Sequence, residues 1–433
     1  MHADTGRDRT VLIVWPFGFS LGWGGAASRV LDLAQELSQR GWKLIMLHAL
    51  TAWPTDFSPQ VLAFPGKVLH TPFSGACWPV MDGHKLLRRI NHTLWRIGGR
   101  SFYNRQIELG WPERLADWAR KNWSIEPPDI LWGVASNTIA GAIGAQRLAA
   151  FFSRPYVLDL HDPPLSRWRK GLDPALEPFF ASSLREASHV VTTTESYARH
   201  LVGTYKLDPS RVSPVYMSFD DKECSFDRPK ESGLVLLHAG TIESTGRIEA
   251  ASSLIAALSI LTREIPDCAS SIRFCLLGTQ AGKCQVQRLA ARLGVSQNVI
   301  CRPPVSYQDS LRIMSDAHVL VLLKNPSPTF DMQIPGKLFK YLGLRKPILG
   351  IVNGNTEAAE ILRKSGLGLV APATDIQMIC GHLRQLWAWR DRLGDVFRPN
   401  EPFISTFSKT YTARQFESII QTAIERFAGK STA

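Results

Sequence analysis

VLIVWPFGFSLGWGGAASRVLDLAQELSQRGWKLIMLH occupies residues 11–48, near the amino terminus. The apolar run at residues 11–15 has no polar alternation, which is typical of a strand covered on both faces of a parallel sheet. A glycine-rich turn follows, and residues 26–40 then repeat apolar side chains at helical spacing. Residues 43–48 form a second apolar run. The segment therefore predicts a strand, a turn, a helix and a strand in that order, which is one βαβ unit.

The same pattern returns along most of the chain. Further apolar runs begin near residues 130, 156 and 189, with helical patterns between them. A polar stretch at residues 220–233 is interpreted as a linker, and a second series of strands and helices follows it. This order predicts the α/β class, with two tandem Rossmann-like doubly wound domains. Ligands of such sheets bind at the carboxyl ends of the strands, so we expect the site between the two domains.

Composition excludes several classes of protein. Of the 433 residues, 45% are hydrophobic and 20% charged, which indicates a globular chain rather than a disordered one. The seven cysteines include no C-x-x-C pair, which argues against a disulfide framework and a structural zinc site. No apolar stretch reaches the roughly 18 residues that span a bilayer. We therefore expect a cytoplasmic protein.

The positive net charge of the chain favours acidic partners. The 50 Lys and Arg residues exceed the 38 Asp and Glu residues by 12, which favours phosphates, nucleic acid or an anionic membrane face. No known nucleic-acid-binding module is recognisable, so nucleic acid is not an expected partner. Residues 84–105 alternate basic with apolar side chains, and Arg88 and Arg89 lie among them. This pattern indicates either contact with acidic lipid head groups or a solvated helix face.

Two basic residues of the second series are candidates for binding a phosphate. GTIESTGR, residues 240–247, follows a strand, so that backbone N–H groups and Arg247 are placed to hold a diphosphate. Lys337 lies in the first turn of the helix that Pro335 is expected to start, and a cation there opposes the helix dipole unless an anion binds beside it. The alternatives are a solvated helix-end charge and a solvated lysine.

The first series offers two further candidates. Gly24 and Gly25 precede a helix, where glycines allow close backbone approach to a ligand and the helix start attracts anions. His161 and Asp162 follow a predicted strand, and a histidine at that edge can donate a hydrogen bond or take a proton. A tight structural turn and a structural histidine are the alternatives.

These motifs together resemble a GT-B-fold glycosyltransferase, closest to glycosyltransferase family 4. The resemblance is carried by Gly24–Gly25, by DLHD at residues 159–162, by VTTTES at residues 191–196, and by the most specific motif, IPGKLFKYL at residues 334–342 followed by KPI. Residues 407–427 resemble the family's final helix, which crosses back to the first domain.

The resemblance implies an acceptor-side domain at residues 1–219, joined by the helix at 408–433, and a nucleotide-sugar-binding domain at residues 220–407. It implies retaining transfer of a sugar from a nucleotide-sugar to a lipid-linked or polysaccharide acceptor, in cell-surface or exopolysaccharide synthesis. The protein would work in the cytoplasm or at the inner face of the membrane.

The resemblance also implies roles for single residues. Arg247 and Lys337 would hold the diphosphate and stabilise the departing nucleotide, so that neither a metal nor another cofactor is expected. His161 would contact the donor sugar. The remaining implied positions are Gly24, Gly25, Gly240, Thr241, Val305, Lys340 and Glu357 on the donor side, and Asp162, Arg88 and Arg89 on the acceptor side.

One position departs from the family signature. A Glu that accepts hydrogen bonds from the donor ribose usually stands where this chain has Lys340, and a lysine has no acceptor. Asp331 or Glu357 is an alternative source of the carboxylate. The departure favours a second hypothesis, a catalytically degenerate partner that binds or positions another enzyme. A sugar-nucleotide epimerase is a third.

Overall fold

The computed structural model describes residues 9–16, 25–50, 63–72, 106–136, 138–163, 172–223, 233–242, 247–278 and 282–431. The chain divides into two compact units. Unit 1 comprises Met1–Met217 and Lys409–Ala433, and unit 2 comprises Ser218–Ser408.

Unit 1 is built on a parallel sheet of seven strands in the order β3-β2-β1-β4-β5-β6-β7. The strands are β1 Thr10–Val14, β2 Lys43–Leu50, β3 Lys67–Pro72, β4 Ile130–Ala135, β5 Tyr156–Leu160, β6 His189–Thr192 and β7 Val212–Pro214. The helices of the unit are α1 Gly25–Gln39, α2 Trp111–Asn122, α3 Ala140–Phe152, α4 Glu177–Glu186, α5 Glu195–Tyr205 and α15 Lys409–Ser431, with a π-helical turn at Gln106–Gly110 before α2.

The central strands of unit 1 are apolar because helices cover both faces of the sheet. Every residue of β4 and β5 is buried. Helix α3 comes unusually close to the sheet: a Cβ added at Gly141 would lie 1.9 Å from the carbonyl oxygen of Val134. The final helix, α15, packs in the same core, with the Phe416 ring 4.6 Å from that of Trp132.

Unit 2 is built on a parallel sheet of six strands in the order β10-β9-β8-β11-β12-β13. The strands are β8 Leu234–Ala239, β9 Ile272–Leu277, β10 Val299–Arg302, β11 Val319–Leu323, β12 Ile348–Ile351 and β13 Gly368–Ala371. The helices are α6 Arg247–Glu264, α7 Pro266–Ala269, α8 Lys283–Arg292, α9 Tyr307–Asp316, α10 Lys337–Gly343, α11 Glu357–Lys364, α12 Ile376–Trp389, α13 Leu393–Val396 and α14 Glu401–Ser405.

Each sheet reverses its strand order at one point, between β1 and β4 in unit 1 and between β8 and β11 in unit 2. Loops that leave opposite faces at such a reversal open a crevice at the carboxyl ends of the strands. The prediction of two doubly wound domains is confirmed, and so is the return of the final helix to the first unit.

Candidate functional site

Arg247 and Lys337 converge at the carboxyl end of β8. Lys337 is the first residue of α10, and its Nζ donates to Nε2 of His238 at 3.1 Å. Arg247 is the first residue of α6, and its Nη1 donates to the carbonyl oxygen of Thr241 at 3.2 Å. We call His238, Gly240, Thr241, Arg247 and Lys337 the cationic cluster. It lies beside the strand reversal of unit 2, where ligand binding is expected.

The two cations of the cluster repel each other. Burial lowers the pKa of Lys337 well below its ordinary value, and the charge of Arg247 lowers it further. Burial also lowers the pKa of Arg247. Among the described residues, none of the recorded contacts of these two side chains is with a carboxylate. A bound anion would relieve this repulsion, so the cluster is suited to a phosphate.

Gly240 makes room for the lysine. Its backbone has φ +126°, and an added Cβ would lie 2.3 Å from Lys337 Nζ. A side chain at this position would therefore displace the ammonium group. Tyr341, one turn further along α10, accepts a hydrogen bond from the backbone N–H of Ala239 at 3.0 Å and thus joins α10 to the end of β8.

A second polar group lies at the ends of the neighbouring strands β11 and β12. The buried Nζ of Lys324 lies 3.7 Å from Oδ1 of Asp331, and Asn353 donates to the same oxygen at 3.2 Å. Burial lowers the pKa of Lys324, while Asp331 and Glu357 oppose that shift. Asp331 therefore forms an ion pair with a buried lysine, and Glu357, at the start of α11, acts on the same lysine. A contact of either carboxylate with the donor ribose stays a prediction.

Two residues of the predicted donor side, Val305 and Lys340, lie near Tyr307, the first residue of α9. Val305, in the loop before α9, is 40% exposed. Lys340 lies one turn after Lys337 on α10, and its Nζ lies 5.8 Å from the centre of the Tyr307 ring. An exposed apolar side chain, an aromatic ring and an ammonium group together can contact a planar base and its ribose.

In unit 1 the end of β5 carries a buried ionic network. The guanidinium of Arg29, from α1, lies 3.0 Å from the carboxylate of Asp159 and also donates to the carbonyl oxygens of Val215 and Tyr216. His161 Nε2 donates to the same carboxylate at 3.0 Å. Burial alone would raise the pKa of Asp159, but Arg29 and His161 outweigh it and hold that pKa well below its ordinary value.

His161 retains one nitrogen for a ligand. The side chain is 4% exposed, and its Nδ1 has no hydrogen-bond partner among the described residues. Since Asp159 fixes Nε2 as the donor, Nδ1 of the neutral ring is an acceptor. The neighbouring Asp162 is partly buried; loss of solvation raises its pKa, although His161 opposes the shift. The end of β5 can therefore accept or transfer a proton.

Three predicted residues, Gly24, Arg88 and Arg89, lie outside the described residues, while Gly25 is described as the first residue of α1. Sequence reasoning missed His238, Lys324 and Arg29. Each is a polar residue within or next to an apolar pattern, and that signal alone does not separate a structural from a functional residue.

Within the described ranges no group of three or more His, Cys, Asp or Glu side chains is arranged to hold a metal. In the same ranges no helix is long and apolar enough to cross a membrane.

Residues 23–223 match the sequence model of Glycosyltransferase Family 4. The chain resembles glycosyltransferase family 4. A D-inositol 3-phosphate glycosyltransferase of Streptomyces scabiei is 29% identical over 155 residues, covering 32% of this chain and 34% of the relative. The chain thus matches about a third of the length of that relative.

Solved structures share the fold over nearly the whole chain. Sucrose-phosphate synthase of Thermosynechococcus elongatus superposes with a TM-score of 0.68 at 14% identity, over 97% of this chain and 100% of that one. The lipopolysaccharide outer core galactosyltransferase WaaB gives 0.61 at 15% identity, over 96% and 99%. Anabaena HepE, solved with UDP and glucose, gives 0.64 at 12% identity, over 96% and 100%. The fold is that of GT-B glycosyltransferases.

Proposed function

We propose that this protein is a glycosyltransferase that takes its sugar from a nucleotide-sugar, with the diphosphate bound at the cationic cluster. The observation that carries the proposal is the convergence of Arg247 and Lys337 beside Gly240. Two cations that repel each other in the free protein gain most when a ligand brings two negative charges. The resemblance to family 4 supports the same reaction.

In this reaction negative charge grows on the diphosphate as the bond to the sugar breaks. Arg247 and Lys337 would stabilise that charge by hydrogen bonds that strengthen in the transition state. Because two fixed cations supply this stabilisation, we expect turnover without a divalent metal. Turnover that disappears in the presence of a chelator and returns with a metal would contradict this expectation.

We further propose that the acceptor is a lipid-linked glycan or polysaccharide and that the configuration of the sugar is retained. His161 supports a role of the β5 end in contacting the sugar, because its Nδ1 is a buried acceptor without a partner among the described residues. Transfer to membrane extracts, followed by NMR of the product's anomeric proton, tests both points.

The first experiment is calorimetric titration with UDP, GDP, ADP and dTDP, and then with the corresponding nucleotide-sugars. We expect one diphosphate to bind and Lys337→Met and Arg247→Met each to weaken it by roughly 10- to 150-fold, the equivalent of a charge-assisted hydrogen bond of about 1.5–3 kcal/mol. Arg263→Met, on the exposed face of α6, is the matched control and should bind like the wild type. Failure of every diphosphate to bind would refute the proposal.

Lys340 distinguishes the enzyme from a catalytically degenerate partner. An active wild type whose Lys340→Glu variant changes its nucleotide preference supports a donor-side role for this lysine. A wild type without turnover or nucleotide affinity, in which Lys340→Glu restores binding, supports the partner hypothesis instead.

A further inference from the structure

We propose that His238 is a positioning residue: as a neutral imidazole it accepts a hydrogen bond from Lys337 and holds that ammonium group at the diphosphate site. The inference rests on the proposed function only in naming the ligand of Lys337. His238 is fully buried in β8, and its ring lies between β11 and the start of α10.

Val321 and the charged form of Lys337 together define the tautomer of the imidazole, and the carbonyl oxygen of Thr241 is a third neighbour. The carbonyl oxygen of Val321, 2.9 Å from Nδ1, only accepts hydrogen bonds, so Nδ1 carries the proton. The Lys337 ammonium, 3.1 Å from Nε2, only donates, so Nε2 accepts. The proton on Nδ1 thereby keeps the lone pair of Nε2 directed at the lysine.

The surroundings keep the ring neutral. Burial lowers the pKa of His238 well below its ordinary value, and the charges of Lys337 and Arg247 lower it further. The carbonyl oxygens of Val321 and Thr241 favour the protonated ring but do not outweigh these effects. Among the described residues, the remaining titratable group recorded at the cluster is Tyr341, whose pKa is raised by burial so that it stays neutral. His238 can therefore accept from Lys337 throughout the neutral range.

This contact sets the position of the Lys337 ammonium group and the pH range over which it stays charged. Lys337 has a flexible side chain, and its charge is opposed by burial and by Arg247. A neutral acceptor at 3.1 Å stabilises the charged form and fixes Nζ above Gly240. An ammonium group has three N–H donors, so donation to His238 leaves two for a phosphate.

The test compares His238→Leu, which removes the acceptor, with His238→Gln, whose amide can accept from Lys337 and donate to Val321. Affinity for UDP and for inorganic pyrophosphate is measured from pH 6 to pH 10. In the wild type, affinity should fall as the pH rises through the pKa of Lys337. We expect His238→Leu to weaken binding by roughly 5- to 20-fold, about the effect of one hydrogen bond, and to shift this fall to lower pH. His238→Gln should restore most of the affinity and most of its pH dependence.

A spectroscopic measurement tests the same geometry without any ligand. In the full chain labelled with ¹⁵N-histidine, the signal that disappears in His238→Gln belongs to His238. We expect the shifts of the Nδ1–H tautomer, unchanged between pH 5 and pH 8. This result holds even if His238→Leu fails to fold.

The outcomes separate the two proposals. If no diphosphate binds at any pH, the proposed function fails, and the ¹⁵N spectrum still decides the state of His238. If diphosphate binds but His238→Leu leaves affinity and its pH dependence unchanged, the positioning role is wrong. A ring that carries its proton on Nε2, or that titrates near pH 6.5, would also overturn it.

Discussion

Asp159 is the residue on which the end of β5 depends. It is fully buried between Arg29 and His161, so removing its charge leaves a buried guanidinium without compensation. We expect Asp159→Asn to lower the free energy of unfolding of unit 1 by about 3–5 kcal/mol. Asp117→Asn is the matched control: it breaks the exposed pair with Arg120 and should cost less than about 1 kcal/mol. Urea denaturation measures both.

The pKa of Asp159 gives this effect a pH window. Because the folded pKa is lower than the unfolded pKa, the carboxylate stabilises the fold above the unfolded value of 3.8 and loses that contribution as the pH falls towards the folded value. The difference between wild type and Asp159→Asn should therefore shrink below about pH 4. A difference that stays constant down to pH 2 would contradict the ionic network.

His189, at the start of β6, makes unit 1 sensitive to mild acid. Burial, with Arg426 and Arg211, lowers its pKa from 6.5 to about 4. Because the fold disfavours protonation of His189, its neutral form contributes fully to the stability of unit 1 above pH 6.5. The free energy of unfolding then falls by up to about 3 kcal/mol as the pH drops from 6.5 to 4. His189→Gln, which retains a partner for Ser213, should remove this part of the dependence. His200→Gln, on α5, should keep it; equal slopes in all three proteins between pH 6.5 and pH 4 would refute the assignment.

Among the glycines that the structure describes, Gly141 leaves the least room for a side chain, at the contact of α3 with β4. A Cβ at Gly141 would overlap the Val134 carbonyl, and the backbone cannot yield as a flexible side chain would. We expect Gly141→Ala to destabilise unit 1 by about 2–3 kcal/mol, as overpacking does. Gly203→Ala is the control: Gly203 lies within α5 with open space around it, so alanine should stabilise by about 0.5–1 kcal/mol. Thermal unfolding decides; equal effects of the two substitutions would contradict the packing of α3.

Strands buried on both faces were predictable because a short uninterrupted apolar run is typical of a core strand. β5 begins and ends at its predicted residues. β3, with sequence KVLHTP, was missed because it lies at the sheet edge and mixes polar with apolar residues. The helical pattern between the apolar runs that begin near residues 156 and 189 includes α4, which begins at Glu177, where Pro178 favours a helix start.

The candidate site was predictable only in part. Arg247 and Lys337 are recognisable because a positively charged residue at the start of a helix that follows a strand indicates an anion-binding site. Their partner His238 ends an apolar run, and its function depends on Val321 and Lys337, which are 83 and 99 residues away in the sequence. Sequence spacing carries no information on such contacts.

At the scale of the whole molecule, unit 1 is not continuous in the chain. Its last helix, α15, comes after all of unit 2 and supplies the buried side chains Phe416 and Ile420. Trp42 Nε1 donates to Glu417 at 2.8 Å, which ties α15 to the loop before β2. Unit 1 is therefore built from two separate segments of the chain, whereas unit 2 is a single segment.

This arrangement predicts that a chain ending at Ser408 loses unit 1 and keeps unit 2. Burial of Phe416 and Ile420 contributes about 1.5–3 kcal/mol each to the stability of unit 1. Together with the polar contacts of α15, this contribution is comparable to the free energy of unfolding of a whole domain, about 5–15 kcal/mol. Hydrogen exchange should show lost protection in β1, β4 and β5 but native protection in β8 and β11. Phe416→Ala should lower unit 1 stability by about 3–5 kcal/mol, and Tyr411→Ala, at a 43% exposed residue of the same helix, by much less. If β4 and β5 keep native protection in the shortened chain, α15 is an accessory of unit 1 and not part of its core.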